Sequence, residues 1–442
     1  MFNEKSFCSI PWSTLEIGTF GEFKICQFSG NVPSSEEKYE YYEKYTNCVD
    51  DDGNEMTIFT HTIQEALNSK YHKELRKAQQ NGERHDHCLV CWDRDDAYER
   101  YGEESGSVRT YKSFIQLKPM ENAITLDNVD QHASSDGYLD QMPISLDLRF
   151  TNICNMKCIM CYPYYSNSWY EDWIKLFGKS TFKAGKKVYE IKQENGVYKT
   201  DIEPWHDSER WFEQLDTIKH RIRHLYITGG EPFIVKGHEK LLDILIDAGV
   251  ANKIVLEYDT NLSVINRRVL DKLKYFKKVE LAISCDDIDE RYEYIRFPGK
   301  FDSLLKNLEL VQQYENITVR NLSTCVGIYS VFSPIRLFQR FKLYNINIRF
   351  LTAPFDFDPK YIPSDLKKKI IAKYRRAAMP DRFKNFVIGF FENNMNVHSE
   401  EECTEYMKKF IIYMESLDKI RGTDWKAVFP DVAELLDEYI SK

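Results

Sequence analysis

The chain contains no apolar run approaching the ~20 residues that a membrane-spanning helix needs, so no span is expected. Its start, Met1-Phe2-Asn3-Glu4-Lys5-Ser6, lacks the basic and then apolar stretch of a secretory leader, and a cytoplasmic location is expected. Positive charge is not in surplus either. With 60 Lys and Arg against 69 Asp and Glu the net charge is −9, which argues against general nucleic-acid binding, where a basic face must displace counterions. A disulfide framework is not expected of a cytoplasmic chain, so cysteines that cluster among the 11 read as metal or cluster ligands. The isolated Cys285, Cys325 and Cys403 read as small core residues. The 442 residues, 43% hydrophobic and 29% charged, suffice for two or three domains with sizeable cores.

What is present is concentrated at Cys154-Asn155-Met156-Lys157-Cys158-Ile159-Met160-Cys161. Just before it, Ile144, Leu146, Leu148 and Phe150 alternate with Ser145, Asp147 and Arg149, the two-residue period of a strand. Three thiols on the loop after a strand can converge on one inorganic centre. A cubane iron–sulfur cluster takes four thiolates, so three leave one iron open to a small molecule. A structural zinc site would want four ligands. The C-x3-C-x2-C pattern after a first strand resembles the cluster motif of the radical S-adenosylmethionine (SAM) superfamily. That resemblance implies a 4Fe–4S cluster on Cys154, Cys158 and Cys161 whose open iron is chelated by SAM. It also implies reductive cleavage of SAM to a 5′-deoxyadenosyl radical that abstracts a hydrogen atom from substrate.

Further motifs stand at the ends of the next strands. Thr228-Gly229-Gly230-Glu231-Pro232 offers two glycines that let the backbone approach a ligand and a carboxylate beside it. Alone it reads equally well as a glycine turn before a helix. In order behind the cysteines it resembles the family's GGE motif, which implies Glu231 as partner of the SAM amino group. Tyr258-Asp259-Thr260-Asn261 resembles the family's T-N-G turn with Leu262 in place of glycine, so Asn261 is a weaker cofactor contact. Ser284-Cys285-Asp286-Asp287 and Arg296-Phe297-Pro298-Gly299-Lys300-Phe301 resemble segments of SPASM and twitch enzymes. They imply Ser284 and Arg296 as ligands of the ribose and methionyl carboxylate, the guanidinium fork matching a carboxylate. For Arg296 a surface ion pair is the plain alternative. Met160 stands where relatives carry an aromatic residue against adenine, and a thioether packs on that ring too. Val326 and Leu351 read as barrel core before adenine contacts.

Strand and helix patterns alternate from Ile144 onward, with strands expected at 224–228, 253–261, 279–285, 317–329 and 346–351, the last stopped by Pro354. Helices are expected at 241–248, from a Ser263 cap to about 276, at 301–314, and from a Ser333 cap with Pro334 in its first turn. Six strands with helical crossovers match the open (β/α)6 partial TIM barrel of the radical SAM fold, assigned to residues 141–355. An insertion over about 163–222 holds Trp169, Trp173, Trp205 and Trp211, read equally as satellite core or substrate contacts. Within it Asn195-Gly196 between β-prone runs signals a hairpin.

Residues 1–140 carry a second cysteine set. Cys8 and Cys26 flank an extended 14–24 segment with a turn at 18–21, and Cys88-Leu89-Val90-Cys91 is a C-x2-C knuckle. Together they make four thiolates, acceptable to zinc or to an iron–sulfur cluster. The layout resembles the twitch (half-SPASM) domain, a small α+β unit with an auxiliary 4Fe–4S cluster, here placed before the barrel and with Gln27 where relatives pair a second cysteine. Cys48, His85 and His87 are lesser candidates. Residues 36–45 read as a solvated polar stretch, and Thr62-Ile63-Gln64-Glu65 as a capping box opening a helix to about Ala78.

Residues 356–442 read as a helical tail that packs on the core or covers substrate, with no catalytic constellation of their own; helices are expected from Ser364 and over 430–440. The favoured reading is a radical SAM enzyme with two 4Fe–4S clusters and SAM. Its partners would be a reductant such as flavodoxin or ferredoxin and a peptide or small-molecule substrate. No catalytic acid or base is assigned. The alternative is a non-catalytic zinc or iron–sulfur interaction module.

Overall fold

The computed structural model describes residues 2–29, 47–101, 111–184, 187–352 and 357–440. The stretch 36–45 and Pro354 lie outside them. In chain order the first strands are β1 (Thr14–Ile17), β2 (Phe23–Lys24) and β3 (Ser145–Phe150). The insertion then adds two separate hairpins, β4 (Thr181–Ala184) with β5 (Lys187–Glu190) and β6 (Lys192–Glu194) with β7 (Val197–Lys199). The strand–helix alternation resumes with β8 (His224–Gly229), β9 (Val255–Thr260), β10 (Lys278–Ser284), β11 (Ile317–Val326) and β12 (Ile346–Phe350). Outside the hairpins these strands build one eight-stranded sheet. Its order is β12-β11-β10-β9-β8-β3-β1-β2, and every neighbouring pair is parallel except β1 with β2.

The six strands β3 and β8 to β12 match the sequence reading. The hairpin at 14–24 forms as expected, but it is not set apart from the main sheet. β1 lies parallel to β3, with Thr14 opposite Ser145 and Ile17 opposite Leu148. Pairing covers what would have been an exposed strand edge. Nothing in the local sequence reports this, because the partner strand lies about 130 residues downstream.

The two faces of the sheet follow the period of two. Leu146, Leu148, Leu225, Ile227, Leu256, Leu281 and Ile283 are buried in the main core with the apolar faces of the crossover helices. Alternate positions are polar and yet buried: Glu16, Asp147, His224 and Glu257. Most of their polar atoms are paired, though among the described residues Glu16 Oε2 and Asp147 Oδ1 are buried without a hydrogen bond. Ser145 Oγ lies 2.8 Å from His224 Nδ1, and His224 Nε2 lies 3.2 Å from Glu257. Tyr226 donates to Asp259 at 2.6 Å. Arg149 bridges Glu16 (2.9 Å) and Asp147 (3.3 Å), and Arg320 pairs with Glu257.

Several element boundaries differ from the sequence reading, each for a local reason. The helix from Thr62 is capped by the expected Thr62–Glu65 box but stops at Leu67, and Ser69 caps a second helix, Lys70–Gln80. The helix expected from Ser263 starts at Arg267 under an Asn266 cap, because Ser263 accepts no helix N–H and instead bonds Asn261. Ser333 is inside its helix and donates to Asp287 at 2.5 Å rather than capping. The last helix is broken into Pro430–Leu435 and Asp437–Ile440.

In the insertion, Asn195 and Gly196 both take positive φ (52° and 79°), as a two-residue hairpin requires. Trp169, Trp205 and Trp211 are fully buried, so burial accounts for them. A small satellite core does form, from Phe20, Tyr170, Phe182 and Ile191 with Trp173 and Tyr189 against it. It staples the insertion to the β1–β2 turn. Among the described residues no helix is long and apolar enough to cross a membrane.

Candidate functional site

The cysteine loop leaves the carboxyl end of β3 through Thr151, whose φ is +34°. From there its backbone is fixed from several sides. Ser168 donates to the Cys154 carbonyl (2.7 Å), Ser166 to that of Met156 (2.5 Å), Arg421 to that of Lys157 (2.7 Å) and the Trp169 indole to that of Cys158 (2.9 Å). On the other edge, the Lys157 and Ile159 amides donate to the carbonyls of Phe297 and Ile295 at 2.7 and 2.9 Å. Four carbonyl oxygens of the loop are thus occupied by the protein.

Burial pushes the Cys154 thiol up to about 12. The Met156 amide donates to its sulfur at 3.4 Å, and Asn261 Nδ2 lies 3.9 Å away. Cys161 donates its thiol proton to Cys158, which raises Cys161 well above the ordinary thiol range and lowers Cys158. Arg296 adds to the second effect from 3.8 Å. Such thiols become ligands when a cation supplies the charge that burial denies them. Three soft sulfur donors, four occupied carbonyls and a buried guanidinium fit an anionic iron–sulfur group. Among the described residues no three His, Cys, Asp or Glu side chains are arranged around a single metal ion.

The Gly229-Gly230-Glu231 turn packs on this loop. A Cβ on Gly229 (φ +129°) would sit 2.0 Å from the Phe150 carbonyl oxygen, and one on Gly230 2.1 Å from that of Ile153. Gly230 donates to the Thr151 carbonyl (2.9 Å) and Glu231 to that of Ile153 (2.9 Å). The sequence reading assigned the glycines to close approach of a ligand. Here their first demand is close approach of the cysteine loop's own backbone. Pro232 is buried in the turn that follows.

Glu231 is fully buried and makes three hydrogen bonds: its carboxylate accepts from Thr260 Oγ1 (2.7 Å), the Asn261 amide (2.7 Å) and the Phe233 amide (3.2 Å). Burial outweighs these bonds and pushes its pKa from 4.5 to about 7. The folded chain therefore holds this proton through a window where the unfolded chain has released it. The stability this confers is full below pH 4.5 and is lost as pH rises through 7. Comparing urea unfolding at pH 5 and pH 8, the wild type should lose roughly 2.5 kcal/mol more than Glu231→Gln. Equal losses would show that Glu231 is ionised throughout.

Asn261 is buried at the end of β9 and bonds Asn155 of the cysteine loop (Nδ2 to Oδ1, 3.1 Å). Leu262, where the family turn has glycine, takes φ +50°. The backbone conformation is kept without the glycine, and the fully buried leucine side chain offsets its strain.

Arg296 is not a surface residue. It is buried, with Nε 2.8 Å from Asp286 Oδ2 and Nη1 3.8 Å from Cys158 Sγ. Asp286 Oδ1 accepts from the Cys325 amide at 2.7 Å. Ser284 is half-buried at the end of β10, and Met160 half-buried on the cysteine loop. Val326 and Leu351 are core residues.

In the N-terminal set, burial raises the Cys26 thiol well above its usual range, with Cys91 and Cys8 adding to it as neighbours. Cys88 lies in the Asp86–Cys88 turn that leads into the Leu89–Tyr101 helix carrying Cys91. Cys48 is apart from them, buried in the main core 3.7 Å from His72. Gln27 accepts from Arg149 at 3.3 Å, linking this set to the polar face of the sheet.

Thr260 and Asp286 sit inside quoted motifs yet escaped the sequence reading, and Asp172, Trp169 and Arg421 escaped it altogether as partners of the cysteine loop. Thr260 follows directly from the strand ending in Asn261. For Arg421 no sequence signal exists, since it reaches Lys157 from 264 positions away.

Comparison with known proteins agrees with the site. Residues 148–331 match the family model described as Radical SAM superfamily. The sporulation killing factor maturation protein SkfB of Bacillus subtilis (strain 168) is 24% identical over 197 residues. That match covers 44% of this chain and 38% of SkfB, well under half the relative's length. Among solved structures, native anSMEcpe with bound AdoMet is 17% identical, covers 56% of this chain and 63% of that chain, and gives a TM-score of 0.35. Streptococcus suis SuiB bound to precursor peptide SuiA is 14% identical, with coverages of 54% and 48% and a TM-score of 0.32. The cysteine loop, the GGE turn and the strand ends that carry them thus lie within the stretch, residues 148–331, that is similar to the radical SAM superfamily.

Proposed function

We propose that this chain is a radical SAM enzyme that modifies a peptide, using a SAM-cleaving 4Fe–4S cluster on Cys154, Cys158 and Cys161 and an auxiliary 4Fe–4S cluster on Cys8, Cys26, Cys88 and Cys91. The observation that carries the reading is the convergence of the cysteine loop, the Gly229–Glu231 turn and Asn261 at the carboxyl ends of successive parallel strands, with Arg296 reaching Cys158 from the end of the Asp289–Ile295 helix that follows β10. The cluster, when bound, supplies the electron that cleaves SAM. The protein holds the thiols, excludes water around them, and presents Glu231 to the amino group and Arg296 to the carboxylate of the cofactor's methionyl end. Ser284, Asn261 and Met160 are assigned to the rest of SAM.

A peptide substrate is favoured because the curated relative is named as the maturation protein of a killing factor. The electron donor would be a flavodoxin- or ferredoxin-type protein in the cytoplasm. The domains are assigned as 1–140 for the auxiliary cluster, 141–355 for the SAM core and 356–442 for the helical region.

Anaerobic reconstitution with iron and sulfide analysis tests the reading. Two cubanes require about eight irons per chain, and SAM with dithionite should yield 5′-deoxyadenosine. Stoichiometric zinc without labile sulfide would refute it. The Cys88→Ala/Cys91→Ala variant should lose about half the iron and keep part of its SAM cleavage. Unchanged iron would remove the auxiliary cluster from this set.

A further inference from the structure

Arg421 is the last residue of the Glu400–Arg421 helix, a segment to which the sequence assigns only packing or cover. Its side chain is 2% exposed and is directed into the cysteine loop. Nη2 donates to the Lys157 carbonyl at 2.7 Å, and Nε pairs with Asp172 at 2.8 Å. Asp172, also 2% exposed, takes the Lys157 ammonium on its other oxygen at 2.7 Å. The guanidinium lies 4.8 Å from the Trp169 ring and 5.3 Å from that of Phe297. Trp169 in turn holds the Cys158 carbonyl. Arg421 therefore grips Lys157 at both its backbone and, through Asp172, its side chain, immediately before the middle cysteine.

We infer that Arg421 is a positioning residue for the cluster on Cys154, Cys158 and Cys161: it turns the Lys157–Cys158 peptide so that the Cys158 N–H is left for the cluster's sulfur. The inference rests on the proposed function. A trans peptide is planar, with its carbonyl and N–H pointing in opposite directions. With the Lys157 carbonyl fixed on Arg421, the Cys158 N–H is turned away from the C-terminal helix. Among the described residues that N–H makes no hydrogen bond, whereas the flanking Lys157 and Ile159 amides are both taken. Hydrogen bonds to cluster sulfurs and nearby positive charge both favour the reduced cluster. Losing the grip should therefore make the cluster harder to reduce.

The test uses the full chain carrying Cys88→Ala/Cys91→Ala, so that one cluster gives the signal, with Arg421→Lys, Arg421→Ala and Asp172→Asn added singly. The first readout is hydrogen exchange of residues 154–161 in the protein before reconstitution, which does not depend on a cluster. Each variant should exchange there at least tenfold faster, with the barrel strands unchanged. The second is an EPR-monitored redox titration after reconstitution. Arg421→Ala should shift the reduction equilibrium at least tenfold toward the oxidised cluster, about 59 mV for one electron, with a smaller shift in Arg421→Lys. A mere packing role would lower thermal stability and leave the potential where it was. Wild-type exchange in the loop together with wild-type potential overturns the inference. Should Arg421→Ala fail to fold, Arg421→Lys and Asp172→Asn decide it by the same readouts. A parent chain that takes up no iron and sulfide refutes the proposed function instead, and the exchange measurement then still decides whether Arg421 holds the loop.

Discussion

Replacing Cys158 by alanine is expected to abolish 5′-deoxyadenosine formation from SAM and dithionite and to remove about half of the bound iron. Cys158 is the middle thiol and the most buried of the three: its carbonyl is held by Trp169, its sulfur accepts from Cys161, and Arg296 stands 3.8 Å away. Without it two thiols remain on the loop, one short of what holds a cluster with a single open iron. Truncating a side chain of this size in a fixed backbone loop should change overall stability far less than it changes iron binding. Circular dichroism melting should therefore separate loss of the site from loss of the fold. SAM cleavage persisting at the wild-type rate would move the cluster to other residues.

Gly229→Ala is expected to destabilise the chain by about 3 kcal/mol or more and to prevent cluster assembly although it removes no ligand. Two costs combine. The added Cβ would lie 2.0 Å from the Phe150 carbonyl oxygen, which as backbone cannot rotate aside, and φ +129° is a conformation L-residues avoid. Phe150 and Gly229 are opposite each other in the β3–β8 pairing, so relief requires the strand ends to part. Those ends carry the cysteine loop and Glu231. Equilibrium unfolding and iron content measure the two effects together. A variant with wild-type stability and full iron would mean that the turn has room the structure does not show. Gly249, also at positive φ but with nothing within 4 Å of its Cβ, is the control: its alanine variant should bear the backbone strain alone.

Much of the site was legible in the chain because its parts are local. The cysteine spacing, the glycine pair with its carboxylate and the strand-end asparagine each lie within a few residues, on turns whose chemistry is written in residue type. The six-strand alternation was legible for the same reason, since each strand and helix declares its own period. Two readings illustrate the limit. Arg296 had a surface ion pair as its plain alternative, and the fold places it buried between Asp286 and Cys158. Ser263 and Ser333 looked like helix caps, but Ser263 donates to Asn261 two residues back and Ser333 to Asp287 on another element.

Local patterning was enough for the strand–helix order, the three-thiol loop at the end of the first barrel strand and the motifs at the ends of the strands that follow. These depend on hydrophobic period, turn residues and spacing, all short-range. Three features emerge only on folding: β1 joins the sheet beside β3, the polar alternate positions close on one another as a buried network, and Arg421 of the C-terminal helix grips the cysteine loop. Each of these depends on contacts between residues more than thirty positions apart, and the last joins residues 264 apart. Such contacts are set by which surfaces the folded core brings together, and no local pattern of residues carries that information.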